Sequence, residues 1–190
     1  MKKIIDILFF GTLFILTFLE FYFIFNGSHY QYDFILVVCL LSLFYFIKDK
    51  LKIHYFHYFS LCVLLIFHSL GGFDFYRLTF FGLEYDTYLH FFFGFLLSIF
   101  LFRTFLLVGK FKDKRIIGLI LIFMVLGVSA LHELVEYGGA LFLGEGEGVL
   151  FLGAGDEGYW DSRNDMFSNL VGSLVGLLGY SLFRRKIFKG

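Results

Sequence analysis

The sequence predicts an all-α fold, namely a polytopic transmembrane helical bundle with six spans and with the N and C termini in the cytoplasm. Two observations predict it. Of the 190 residues, 59% are hydrophobic and 23% aromatic, and the mean hydropathy of +0.81 is far too high for a water-soluble domain of this size. Long apolar runs also alternate with short charged connections, and the basic residues concentrate in every second connection.

The first three spans are predicted at 4–25, 32–47 and 53–70, where apolar runs are separated by short polar segments. Lys2 and Lys3 precede the first run as in a signal peptide, but no small-x-small cleavage site follows. We therefore interpret that run as a retained helix. The second and third runs are the shortest of the six compared with the ~20 residues that cross a hydrocarbon core of about 30 Å.

The last three spans are predicted at 86–107, 116–143 and 165–183. The chain has 31 Phe and no Pro, which favours uninterrupted helices in lipid. The connection at 144–164 is Gly-rich, acidic and longer than most helix connections. We interpret it as an extracytoplasmic loop that either folds over the bundle as a lid or stays solvated. The whole chain, 1–190, is then a single transmembrane domain.

The charges are sorted between the two sides of the predicted bundle, although the formal net charge is +0. With six spans, most of the 16 Lys and Arg fall at the N terminus, at 48–52, at 110–115 and at 184–189. All of these segments lie on one side, which the positive-inside rule assigns to the cytoplasm. Most acids lie in the opposite loops or in the outer halves of the spans. The expected location is the cytoplasmic membrane, with an acidic extracytoplasmic side.

Three predicted spans place polar residues at a similar depth near the outer side. Span four has His90 one helical turn deeper than Asp86. Span five has Glu133 and Glu136 on one stripe, and span six begins with Asp165. A carboxylate in lipid costs several kcal/mol unless it faces the bundle interior and finds a partner. These side chains are therefore expected to face one another.

Carboxylates gathered at one site cannot all remain ionised unless a cation or shared protons neutralise them, and a divalent metal is the simpler answer. An oxygen-rich set suits Mg²⁺, Mn²⁺ or Ca²⁺, and Zn²⁺ would suit it if both His90 and His68 bind. The predicted metal ligands are Asp86, His90, Glu133, Glu136, Asp161 and Asp165. The candidate catalytic residues are Asp86, His90, Glu133 and Glu136. Further candidates for the site are His68, Asp156, Asn169 and His132.

Two of these patterns also have structural explanations. Ser162-x-x-Asp165 matches a capping box, which would only start span six. His132-Glu133-x-x-Glu136 resembles a zincin motif that lacks its second His. A lone His in an apolar run is more often a hydrogen-bonded structural residue, and this is our interpretation of His132.

Small residues in the spans are interpreted as packing positions. Gly94 on span four and Gly172-x-x-x-Gly176 on span six would let two helices approach closely. Cys39 and Cys62 lie inside apolar runs, where Cys acts as a small buried hydrophobe. No structural disulfide is therefore expected.

Several spaced motifs carry a resemblance to known proteins. They are His68-x-x-Gly71, Tyr85-Asp86-x-x-x-His90-Phe91-x-x-Gly94, Glu133-x-x-Glu136, Gly155-Asp156 and Trp160-Asp161-Ser162-x-x-Asp165-Met166-x-x-Asn169-x-x-Gly172. On these motifs the chain resembles the YjdF-like family of uncharacterised inner-membrane proteins and, more distantly, the VanZ-like proteins. It departs from the YjdF-like pattern at Thr87, where that family usually has a basic residue, and His132 lies outside both patterns. The first resemblance implies no activity, and the second points toward the outer envelope, because VanZ-like proteins are linked to glycopeptide resistance.

Three functions fit the predicted site. The first is a metal-dependent enzyme that acts on a lipid headgroup or a lipid-linked envelope precursor. The second is a non-catalytic protein that binds lipid, antibiotic or metal. The third is a transporter, which the sequence supports least, because 116–128 and 170–183 contain no ionisable residue that could continue a polar path. Membrane lipid is the expected partner, nucleic acid is not, and the oligomeric state is left open.

Overall fold

The computed structural model describes residues 2–28, 33–73, 75–108, 113–143 and 161–187. These residues form six α-helices in chain order. They are α1 (Lys2–Phe25), α2 (Asp33–Ile47), α3 (Tyr55–Leu70), α4 (Tyr85–Val108), α5 (Lys114–Leu143) and α6 (Asp161–Ile187). The prediction of an all-α helical membrane bundle is confirmed, and each helix overlaps one of the six predicted ranges.

The sixth helix differs from its prediction at its start. It begins at Asp161, one turn before the predicted residue 165. The capping-box interpretation of Ser162 and Asp165 stays a prediction, since the residue before Asp161 lies outside the described part of the chain. Asp165, in the second turn of α6, lies against His90 on α4.

Four helices within the described residues are long and apolar enough to cross a membrane, namely α1, α3, α4 and α5. Helix α2 is apolar but has 15 residues, so it would span about 22 Å. Helix α6 has 27 residues, yet its first half is polar. The count of six spans and the cytoplasmic position of both termini stay predictions.

Helix α4 lies between two apolar cores. The first core joins α1, α2 and α3 to α4 through residues such as Leu16, Leu41 and Phe100. The second joins α4, α5 and α6 through residues such as Ile99 and Leu121. Large apolar side chains on the outward faces of the helices remain exposed, as expected for surfaces in contact with lipid.

Helices α4 and α6 touch backbone to backbone through three glycines. A Cβ atom at Gly94 would collide with the carbonyl oxygen of Asn169, and one at Gly172 would collide with that of Phe91. Gly176 likewise lies against Phe95 on α4. The packing interpretation of these glycines agrees with this geometry, which also fixes the height of α6 against α4.

The connection between α3 and α4 contains a small hairpin that the sequence analysis did not predict. After two 3₁₀ turns, Gly71–Phe73 and Phe75–Arg77, strand β1 (Thr79–Phe80) pairs antiparallel with β2 (Leu83–Glu84). Phe81 and Gly82 between them have φ of 53° and 78°. Positive φ at both turn residues is the geometry that matches the twist of a two-residue hairpin.

Polar contacts identify one end of the bundle, which we call the basic end. Lys2 Nζ lies 3.1 Å from Asp49 Oδ2, and Lys48 Nζ lies 3.6 Å from Asp6 Oδ1. Arg103 near the end of α4 donates to a backbone carbonyl in the same region. The opposite end, which holds the starts of α4 and α6 and the end of α5, is called the site end.

Candidate functional site

His90 on α4 lies at the centre of the polar residues at the site end. Its Nε2 is 3.4 Å from Asp86 Oδ2, one helical turn away, and 3.5 Å from Asp165 Oδ2 on α6. The side chain of Asp165 is 3% exposed, whereas that of Asp86 is 26% exposed. The carboxylate of Asp165 is therefore enclosed by the bundle, whereas that of Asp86 is accessible from the surroundings.

Asn169 on α6 connects His90 to the third helix. The Asn169 side chain is fully buried, with Nδ2 at 2.9 Å from His90 Nδ1 and donating to Ser129 Oγ on α5 at 2.8 Å. The Asn169 backbone meets Gly94, so the glycine contact described above places this amide beside the imidazole. The three helices are thus joined by one buried polar chain.

Helix α5 contributes an imidazole and a carboxylate on its buried face. The ring centroids of His132 and His90 are 5.5 Å apart. Ligand atoms of His90, His132 and Glu133 all lie within 4.8 Å of one another. Both carboxylate oxygens of Glu133 are buried and have no hydrogen-bond partner within the part of the chain that the structure describes. Glu136 Oε1 lies 3.7 Å from His132 Nδ1, on the side of the ring that the i, i+4 spacing predicts.

The structure brings together most of the residues that the sequence predicted for the site. Asp86, His90, Glu133 and Asp165 form the centre, and Glu136 adjoins it through His132. Asn169 lies at the centre as well. Asp156 and the side chain of Asp161 lie outside the described residues.

Two histidines had alternative interpretations in the sequence. His132, interpreted as a structural residue, lies beside His90 in a group of side chains that could hold a metal ion, and its role stays a prediction. The second imidazole that the truncated zincin motif lacks on α5 comes instead from His90 on α4. His68, which would have supplied a second imidazole for zinc, is placed in a separate cluster, where its ring pairs with a carboxylate of α2.

That separate cluster contains Asp33, which the sequence analysis missed as a candidate. Tyr76 Oη lies 2.6 Å from His68 Nδ1, and His68 Nε2 lies 3.4 Å from Asp33 Oδ2. Gly71 makes room for Tyr76, since a Cβ atom there would collide with the tyrosine ring. The available signal was an acid inside the second apolar run, because an ionisable residue within a span is by default a candidate for function.

The arrangement offers two overlapping ligand sets that share His90. One set is His90, His132 and Glu133, and the other is Asp86, His90 and Asp165. Two imidazoles and a carboxylate with an open fourth position is the ligand set of many catalytic zinc sites. Two carboxylates and one imidazole suit a harder ion such as Mn²⁺.

A helical bundle with lipid-facing apolar surfaces and a buried group of carboxylates and imidazoles at one end defines a multi-pass membrane protein with an internal polar site. The chain belongs to the family described as "Predicted membrane protein (DUF2238)", whose model matches residues 5–186. It is also 31% identical over 100 residues to the inner membrane protein YjdF of Escherichia coli (strain K12). That alignment covers 52% of this chain and 46% of the relative, so the match spans about half the length of each. No solved structure matches the chain.

These comparisons confirm the resemblance to the YjdF-like family and the multi-pass location in the plasma membrane. The more distant resemblance to VanZ-like proteins stays an expectation, as does the position of the site on the extracytoplasmic side. The family's description names no activity. Any function must therefore be argued from the site itself.

Proposed function

We propose that this protein is an enzyme that uses a divalent metal ion, held by His90, His132 and Glu133, to act on a lipid headgroup or a lipid-linked precursor at the outer leaflet. The observation that carries the proposal is the burial of the Glu133 carboxylate beside two imidazoles. Its two oxygens are buried and have no hydrogen-bond partner among the described residues, and one of them lies within 4.8 Å of a ring nitrogen of His90 and of His132.

A carboxylate in this position needs a cation for a physical reason. Burying an ionised carboxylate without partners costs several kcal/mol, and the cost is greater in an apolar bundle than at a protein surface. A bound metal ion would offset that cost directly, because each oxygen of Glu133 can donate a lone pair to it. The neighbouring imidazoles complete a set of three ligands and leave a coordination position for water or substrate.

The surroundings of His90 are compatible with metal binding once the side-chain amide of Asn169 is turned by 180°. Asn169 Oδ1 is buried and accepts no hydrogen bond from the residues described, while its Nδ2 faces His90 Nδ1 and Ser129. Turning the amide by 180° would let Oδ1 accept from the Nδ1–H of His90 and from the Ser129 hydroxyl. The lone pair of His90 would then be on Nε2, the nitrogen that both ligand sets would share and beside which Asp86 and Asp165 also lie. Such an acceptor behind the imidazole is the usual support of a metal-bound His.

The chemistry of the proposed enzyme follows from these ligands. A metal ion at the open position would polarise a phosphoryl or carbonyl oxygen, or activate a water molecule. Asp86 is the partly exposed acid beside His90, so it is placed to exchange a proton with the substrate or with water. The site end lies opposite the basic end, and the positive-inside rule then directs the site toward the outer leaflet.

The metal can be tested on the purified protein. We expect bound divalent metal near one equivalent in the parent and a loss of most of it in Glu133→Gln and His90→Gln, since each removes a ligand. Asp86→Asn and Glu136→Gln test the adjoining carboxylates. The control is Asp6→Asn, which removes an acid at the basic end. A parent protein without metal, measured by elemental analysis after expression in metal-supplemented medium, would rule the proposal out.

The enzymatic part needs a second measurement. Deleting the gene should change the abundance of at least one outer-leaflet lipid or lipid-linked species, and the parent gene, but not Glu133→Gln, should restore it. Unchanged lipids together with a full complement of metal would favour the non-catalytic binding protein. Unchanged lipids with altered ion uptake would favour transport.

A further inference from the structure

An apolar groove runs along α4 between α3 and α5. Both of these helices pack on α4, and the groove between them has a cavity volume of about 210 Å³. Its walls include Leu61 and Leu64 from α3, Phe93, Leu96 and Phe100 from α4, and Val128 from α5. For comparison, an apolar cavity of about 150 Å³ is enough to take up a benzene-sized molecule.

One end of the groove adjoins the proposed metal site. Phe93 follows His90 by one turn of α4, and Val128 directly precedes Ser129, which bonds Asn169. From there the groove follows α4 to Phe100, a distance of about 10 Å along the helix axis. The groove therefore runs from beside the polar site toward the basic end, where Ile53 and His57 also line it.

The groove is open to the side and not sealed by the bundle. Val128 on its rim is 41% exposed and Phe56 is 38% exposed. At this depth the surroundings of the protein are hydrocarbon chains, because the neighbouring outward faces are apolar. A chain that enters from the side would meet apolar walls on four helices, because Leu40 and Phe44 of α2 also line the groove.

We propose that the groove binds an acyl chain of a membrane phospholipid whose headgroup reaches the metal site. This inference rests on the proposed function, and it names a phospholipid as the substrate because the groove opens sideways to the acyl chains of the bilayer. A lipid tail is as apolar in the bilayer as in the groove, so the hydrophobic effect contributes little. The groove binds the acyl chain through close van der Waals packing. It also positions the lipid, because a chain held there brings the headgroup to the height of His90.

The test is to fill the groove and measure retained lipid. Leu96→Trp puts a larger side chain into the groove, and Leu119→Trp puts the same side chain on the lipid-facing surface of α5, where Leu119 is 57% exposed. Native mass spectrometry of protein released from phospholipid nanodiscs should show phospholipid bound to the parent and to Leu119→Trp. We expect at least a tenfold lower bound fraction in Leu96→Trp. Leu64→Phe, a smaller filling change, is expected to give an intermediate loss.

Metal content, measured in the same samples, separates this inference from the proposed function. Normal metal in Leu96→Trp shows that the bundle has folded, so its loss of lipid can be assigned to the groove. Equal lipid retention in the parent and in both filling variants, or retention of polyprenyl lipids alone, would overturn the groove proposal while leaving the metal site intact. Absence of metal from every sample would instead overturn the proposed function.

Discussion

His90 is the residue on which the site depends most, because it contacts all three helices that form the site. Its ring lies between Asp86 on its own helix, Asp165 and Asn169 on α6, and His132 on α5. A substitution at this position removes a member of both ligand sets at once.

Asn169 offers a test of how the imidazole of His90 is supported. Asn169→Asp supplies only acceptor oxygens to His90 Nδ1 and Ser129, so we expect it to keep a metal affinity close to that of the parent. Asn169→Leu removes the acceptor at similar volume and should weaken metal binding by about 10–100-fold. Competition with a chromogenic chelator measures both affinities. Strong loss in Asn169→Asp with little loss in Asn169→Leu would contradict the proposed support of His90.

Residue spacing in the sequence predicted contacts within one helix but missed contacts between helices. Asp86 and His90 are one turn apart on one helix, so their contact follows from helical geometry alone. The contact of His90 with His132 joins α4 to α5, and helices that are apolar all round do not reveal which face meets which. Asp33 was missed for the same reason, since its partner His68 lies on another helix.

Among the elements, the pairing of α4 with α6 is the tightest, and it was the easiest to anticipate. Gly172 and Gly176 are spaced by four residues, which places both on the face toward α4. The hairpin of β1 and β2 could not be anticipated as easily. Its turn is formed by Phe81 and Gly82, and Phe is rare at positive φ.

The α4–α6 contact predicts a sharp difference between two glycines of the same helix. In Gly172→Ala the new methyl group would collide with the backbone of Phe91, whereas the space around Gly179 is open. We expect Gly172→Ala to destabilise the bundle by about 1–3 kcal/mol and to reduce metal binding, because the helices must separate. Gly179→Ala should behave like the parent. Thermal unfolding in detergent, followed by circular dichroism, measures the difference, and equal stability of the two variants would refute the assigned contact.

For the whole molecule, composition and run length were enough to predict the class of fold, and the structure adds how the helices are arranged. Sequence could not show that α4 is the central helix, because its mean hydropathy lies between those of α3 and α5. Its position between two cores depends on which faces fit together.

The orientation in the membrane gives a prediction at this scale. If six spans are present, a green fluorescent protein fused after residue 190 should fluoresce, and alkaline phosphatase inserted within 144–164 should be active. The basic loops favour this orientation through the positive-inside rule. An inactive phosphatase at the second position would mean that the site faces the cytoplasm. Phosphatase inserted within 109–112 serves as the matched control and should be inactive.

The backbone contact between α4 and α6 has a mechanical consequence for the rest of the bundle. This contact ties the two helices closely together, whereas Gly118, Gly127 and Gly138 of α5 have open space around them. An ion held between His90 and Glu133 would fix the separation of α5 from this pair of helices. Because α5 also forms one wall of the lateral groove, loading of the ion would set the width of the entrance for lipid.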